Sequence, residues 1–212
     1  MPKETFFNLP EEKRTMICQV ALNEFAEYSF DQASINRIVA NSSIAKGSFY
    51  QYFEDKQDLF LYLTQLAAKE KINYISPLMQ NLDNHDFFTL LREIYNSGLQ
   101  FAAEHPKYAA ISQKLLENKD APIYKEMMAD NMPSAIEFFV TLLENAKARG
   151  EIRQEINIQM FAYLIASMNT LLIEYYFEYV AQSYDENIVE TIEEFIDFLK
   201  HGIGTHPTNT QG

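Results

Sequence analysis

The sequence predicts an all-α fold in which a small N-terminal module of short helices is joined to a larger helical bundle. Three observations point there. Apolar residues recur at spacings of three and four along almost the whole chain. Six glycines and seven prolines in 212 residues are too few for a β fold built from many tight turns. Hydrophobic residues, at 47%, supply a sizeable core without metals or cross-links.

The elements follow in order. Leu9-Pro10-Glu11-Glu12 reads as a helix start, with proline in the first turn and acids at the positive end of the helix dipole. Ile17, Val20, Ala21, Phe25 and Tyr28 then form one apolar stripe. A short helix is expected from Ser34, as N-cap, with Ile35, Ile38 and Val39 facing inward. Asn41-Ser42-Ser43 reads as a turn, and a second short helix carries Ile44, Phe49 and Phe53. Asp55, with Asp58 three residues on, forms an acidic capping box for a long helix reaching about Ser76-Pro77. Further helices are expected at about 85–104, 107–118, 121–130, 133–149, 157–182 and 186–203. Their borders are turn signals such as His105-Pro106, Met132-Pro133 and Gly150. Residues from Gly202 onward lack periodicity and read as a mobile tail.

Charge narrows the function. Lys+Arg number 17 against 30 Asp+Glu, a formal charge of −13. That excludes a generally basic coat for nucleic acid but leaves room for a local positive patch. Such a patch exists. Residues 32–53, 22 positions, contain no acid and include Arg37 and Lys46. The window coincides with the two short helices, whose connection has helix-turn-helix length. A helix can enter the major groove only if its outer face does not repel phosphates. With Phe49, Phe53 and Ile44 inward, Lys46, Gly47, Ser48, Tyr50 and Gln51 are left outside. From pattern alone, a helical hairpin packed in any α bundle is the better-supported reading.

The residues themselves go further. Ser34-Ile35-Asn36-Arg37-Ile38-Val39-Ala40, then Lys46-Gly47-Ser48-Phe49-Tyr50-Gln51-Tyr52-Phe53 and Lys56, resembles the DNA-binding module of the TetR family of bacterial transcriptional regulators. That family has a Thr/Ser cap, a helix, a tight turn and Lys-Gly-Thr/Ser-Phe/Leu-Tyr-x-His/Tyr-Phe, with a lysine three residues later. The resemblance covers residues 10 to about 60 at motif level; beyond it, helix number and length and Arg-Gly-Glu-Ile at 149–152 agree. It implies base contacts from Lys46, Gly47 and Ser48. Phosphate contacts would come from Ser34, Tyr50, Tyr52 and Lys56. Three positions depart from the pattern. Ser43 stands where the turn usually has glycine, Ala45 where a Ser or Thr often caps, and Ser29 where glycine often follows the first helix.

The resemblance divides the chain into a helix-turn-helix DNA-binding domain at 1–55, a helical ligand-binding and dimerisation domain at 56–203, and a flexible tail at 204–212. It implies a homodimer on a double-stranded DNA operator, released by a small-molecule effector bound among the bundle helices. Tyr95, Phe101, Phe139 and Met168 are candidates for an adaptable apolar pocket. Ile188, Ile192, Phe195 and Leu199 recur at four, three and four, a seam suited to a dimer interface. The stretch Ile156–Ile173 is uncharged on nearly all faces, more than one packed face requires. Its interior polar residues argue for a buried helix and not a membrane span.

No phosphate-cradling glycine loop, metal-ligand spacing or nucleophile motif is legible, so no enzyme, cofactor or metal is expected. The lone Cys18 excludes an intrachain disulfide and fits a reducing, cytoplasmic location. The expected function is a dimeric, ligand-responsive repressor. The alternative is an all-α small-molecule-binding or scaffold protein without DNA binding.

Overall fold

The computed structural model describes residues 1–80, 85–181 and 184–205. Its helices are α1 (Glu4–Phe7), α2 (Glu11–Glu27), α3 (Ile35–Asn41), α4 (Lys46–Tyr52), α5 (Lys56–Met79), α6 (Phe87–Glu104), α7 (Pro106–Leu116), α8 (Pro122–Ala148), α9 (Ile158–Tyr175) and α10 (Asn187–Ile203). A π-helical turn, Tyr176–Val180, extends α9. Among the described residues, β pairing is confined to one antiparallel bridge between Ile152 and Gly204. The all-α class is as expected.

Local chemistry explains three of the helix starts. At the start of α5, Asp55 Oδ1 accepts the Asp58 N–H at 2.8 Å. Asp58 Oδ2 in turn accepts the Glu54 N–H at 3.1 Å, one residue before the cap, so the expected acidic capping box forms its Asp55 half while the return bond is displaced to the preceding residue. Asn157 caps α9 by accepting the Met160 N–H at 3.0 Å. Pro106 opens α7, where its missing N–H is harmless.

Three expectations need correction. The border at Met132-Pro133 is no border, because α8 runs through Pro133 without interruption. A proline removes one ladder bond, and the flanking turns carry the helix past it. The tail does not begin at Gly202 or Gly204. α10 reaches Ile203, the Arg153 N–H donates to the Ile203 carbonyl at 2.9 Å, and the Thr205 N–H donates to the Glu151 carbonyl at 3.2 Å. The rest of the expected tail, 206–212, lies outside the described residues. Finally, α1 has no counterpart in the periodicity reading.

The chain forms two compact units, Met1–Tyr74 with Leu99–Met127, and Ile75–Gly98 with Met128–Gly212. In the first, α2 packs on α7 and on α3, α3 on α4, and α1 on α4. Its core holds Phe6, Ile17, Phe25, Phe49, Phe53, Leu59 and Phe60, all essentially out of contact with water. Phe25 and Phe60 meet edge to face at 5.0 Å. In the second, Leu90 and Leu91 of α6, Leu143 and Ala146 of α8, Ala162 and Ile165 of α9, and Ile192 and Ile196 of α10 are buried. A two-pronged ion pair joins Arg92 Nε (2.5 Å) and Nη2 (2.8 Å) to the Glu193 carboxylate.

Candidate nucleic-acid interface

The α3–α4 connection is built from backbone geometry. After α3 the chain turns on Ser43, whose φ of 51° is left-handed. The Ile44 N–H then reaches the Val39 carbonyl at 3.1 Å and the Ser43 N–H the Ala40 carbonyl at 3.3 Å, the Schellman pattern that usually ends on glycine. Serine occupies that position, as its place in the sequence led us to expect. Ser42 supports the turn by donating to the Ile38 carbonyl at 2.7 Å. From α2, Lys13 Nζ donates to the Ser42 carbonyl at 3.2 Å.

α4 then presents two faces. Phe49 and Phe53 point into the core. Ala45, Lys46, Gly47, Tyr50 and Gln51 are exposed, while Ser48 and Tyr52 are half-buried. No side chain caps α4 at its N-cap, Ala45. Ser43 does not take that role and serves the turn instead. Gly47 is the informative residue. A Cβ built on it would meet nothing within 4 Å. Glycine inside a helix costs roughly 1 kcal/mol relative to alanine, and nothing within the chain requires it here.

The proposed phosphate residues sit as follows. Ser34 stands at the N-cap of α3, but its side chain makes no cap bond. The cap acceptor is Glu24, buried, whose Oε1 takes the Ser34 N–H at 2.7 Å. Arg37 pairs with the same carboxylate at 2.5 Å and lies 4.1 Å over the Tyr28 ring. That hydrogen bond to Glu24 raises the Arg37 pKa further. Lys56 Nζ donates to the carbonyls of Ala33 (2.9 Å) and Asp31 (3.2 Å) and rests 4.7 Å over the Phe30 ring. Lys56 is thus brought to the corner preceding α3, next to Ser34 in the chain. Glu24 and Lys13, which hold this surface in shape, went unnoticed in the sequence. Their signal is faint: two charged residues on the buried stripe of α2.

The pocket candidates separate. Phe101 belongs to the first unit, tilted against His105 at 4.6 Å and edge-on to Tyr74 at 5.6 Å. Tyr95, Phe139 and Met168 belong to the second. There the Tyr95 hydroxyl is buried with no hydrogen-bond partner among the described residues, its ring 6.2 Å from Phe195. Burial pushes its phenol pKa up. In the first unit a cleft of about 340 Å³, counting its open mouth, is lined by Phe25, Phe30, Phe60, Ile111, Leu115 and Ile123 among others. None of the four candidates lines it.

The seam on α10 faces inward. Ile192 is 2% exposed, Ile188 and Leu199 are equally enclosed, and Phe195 is half-buried against Tyr95. These side chains are core of their own chain and so are not a surface for a second copy, which corrects the expectation. Apolar surface lies elsewhere. On α9, Met160, Tyr163, Leu171 and Tyr175 are exposed along one face, and Phe198 is exposed on α10. Cys18 is partly buried and its thiol is pushed up to about 11 by burial, so it carries little thiolate at neutral pH. Among the described residues no group of His, Cys, Asp or Glu could hold a metal, and no helix is long and apolar enough to cross a membrane.

A short two-helix unit with a polar outer face, in a chain that goes on into a larger set of helices, is the build of a helix-turn-helix regulator. Residues 17–63 match the model of the bacterial regulatory proteins of the tetR family, and residues 85–204 match that of the tetracyclin repressor-like C-terminal domain. The chain belongs to the TetR family of bacterial transcriptional regulators. It is 34% identical to a TetR family transcriptional regulator from Chloroflexus aurantiacus, whose crystal structure superposes with a TM-score of 0.66, covering 97% of this chain and all of that one. It is 25% identical to the HTH-type transcriptional regulator YvdT of Bacillus subtilis over 97% of this chain and the whole relative. It is 23% identical to the HTH-type transcriptional repressor BepR of Brucella suis, over 74% of this chain and 77% of the relative. The family is one of regulators and not of enzymes, and the reading without DNA binding is not favoured.

Proposed function

We propose that this chain is a cytoplasmic homodimeric repressor that holds a double-stranded operator through α4 and leaves it when a small apolar effector binds the helical body. The observation that carries the DNA reading is Gly47. Its missing side chain serves no contact within the chain, and at the exposed start of α4 it suits close approach of the helix backbone to the groove. Lys46 and Ser48 beside it then reach base edges. Ser34, Tyr50, Tyr52 and Lys56 take phosphates, and the functional division falls near residues 55/56. BepR, a repressor by name, supports repression.

The effector would be apolar with one hydrogen-bonding group. Tyr95, in company with Phe139 and Met168, supplies the reason: its unpartnered hydroxyl is costly to leave unpaired and is met by a ligand acceptor or donor. The copies would join through the apolar face of α9 together with Phe198. Two modules so joined read the two halves of a palindromic site.

Gly47→Ala is the test. A duplex is first enriched by the wild-type protein from a random-sequence pool. The variant should then bind it roughly tenfold or more weakly, while urea unfolding shows a gain of up to about 1 kcal/mol. Unchanged affinity would sink the close-approach argument.

A further inference from the structure

The recognition helix α4 is only seven residues long, Lys46–Tyr52. Its last four carbonyls, those of Phe49, Tyr50, Gln51 and Tyr52, have no partner within the helix. The Phe53 N–H takes the first at 2.9 Å. The other three all go to one segment near the N-terminus. Lys3 Nζ donates to the Tyr50 carbonyl at 2.9 Å, the Thr5 hydroxyl donates to the Gln51 carbonyl, and the Lys3 N–H donates to the Tyr52 carbonyl at 2.8 Å. Phe6 nails the segment down. It is fully buried, 4.8 Å from the Phe53 ring and 5.6 Å from that of Tyr62 on α5. The Lys3 ammonium also sits at the negative end of the α4 dipole.

Folding does not demand these bonds. The Lys3 and Thr5 contacts are exposed, and water would satisfy the same carbonyls. What the segment adds is direction. A two-turn helix frays at its end, and the end of α4 carries Tyr50 and Tyr52. The segment precedes the residues that match the family model, 17–63.

We propose that Lys3–Phe6 is a positioning strap for DNA reading, which closes the C-terminal end of α4 and so fixes Tyr50 and Tyr52 for their phosphates before DNA arrives. The strap rests on the reading of α4 as the DNA-contacting helix. It lowers the ordering cost that binding would otherwise carry.

Thr5→Val keeps the shape and removes the hydroxyl. On the duplex enriched by the wild-type protein, this variant should bind about threefold to tenfold more weakly. Its unfolding midpoint and its slope of log affinity against log salt should not change, because no ion pair to DNA is lost. Thr5→Ser should restore binding. In a cycle with Tyr50→Phe the two losses should not multiply, since the strap acts through Tyr50. Wild-type affinity for Thr5→Val, or fully multiplicative losses, overturns the strap. A salt slope lowered by about 0.9 for Lys3→Met overturns it as well, by making Lys3 a phosphate contact in its own right. If Tyr50→Phe alone binds like the wild type, the failure belongs to the phosphate reading of α4 beneath it.

Discussion

The α3–α4 region and the α9–α10 region solve opposite packing problems. In the first, the purely apolar rings are used up inside: Phe49 and Phe53 vanish into the core, and the outer face keeps polar groups and the hydroxyl-bearing Tyr50 and Tyr52. In the second, apolar residues exceed what one core can take. Ile188, Ile192, Ile196 and Leu199 fill the interior, yet Leu171 stays 57% exposed and Phe198 63% exposed. A face that is polar by subtraction suits nucleic acid, and a face that is apolar by excess suits another protein.

The sharpest way to break this contrast is to exchange the roles of the two kinds of apolar residue. Ile192→Ala should lower unfolding free energy by about 2–5 kcal/mol, because it empties core volume. Leu171→Glu should leave secondary structure intact but convert dimer to monomer in sedimentation, with operator binding falling more than about a hundredfold. If Leu171→Glu unfolds the chain and Ile192→Ala leaves it unmoved, the two surfaces have been assigned the wrong way round. A smaller effect probes the turn. Ser43 occupies a left-handed conformation that L-residues resist, so Ser43→Gly should raise the denaturation midpoint by the equivalent of up to about 1 kcal/mol. A drop in the midpoint would mean that the serine side chain contributes more than its backbone strain costs.

The smallest effect concerns the Arg92–Glu193 pair. Arg92's hydrogen bonds and charge hold the Glu193 carboxyl below the ordinary glutamate range. A depressed acid stabilises the fold above its unfolded pKa, and that gain disappears as pH falls through the lower folded value. Both side chains are well exposed, so less than about 1 kcal/mol is involved. Glu193→Gln should therefore melt slightly lower than the wild type at pH 7, and the two curves should converge as the pH falls through the depressed folded value of the Glu193 carboxyl. Parallel curves across that range would remove the pair from the stability account.

The legible parts of the fold were those where one residue type has one physical use. Asp55 reads as the N-cap of α5 and caps it, accepting the Asp58 N–H, while the Asp58 carboxylate reaches back to the Glu54 N–H. Ser43 stood in a glycine position and has the left-handed φ that position demands. The illegible parts have several uses. Pro133 ends many helices, yet a helix long enough on both sides carries it. The spacing of Ile188, Ile192, Phe195 and Leu199 fits a seam between chains or within one, and only burial separates the two. On α9 the lack of charge on any face goes with apolar residues left exposed along one side, Met160, Tyr163, Leu171 and Tyr175. The α1 segment was missed because four residues are too few for periodicity to register. Its meaning lies in carbonyls more than forty positions away.

Gly204 has one more consequence. A Cβ there would lie 2.4 Å from the Lys200 carbonyl oxygen, so only glycine lets the chain leave α10 so tightly and pair with Ile152. That pairing hands mechanical load away from the last turn of α10. The Thr205–Glu151 and Arg153–Ile203 hydrogen bonds fasten this end of the helix to the corner at residues 151–153, so tension at Thr205 would be shared with that corner. A fusion partner attached at this end therefore hangs from a clasp.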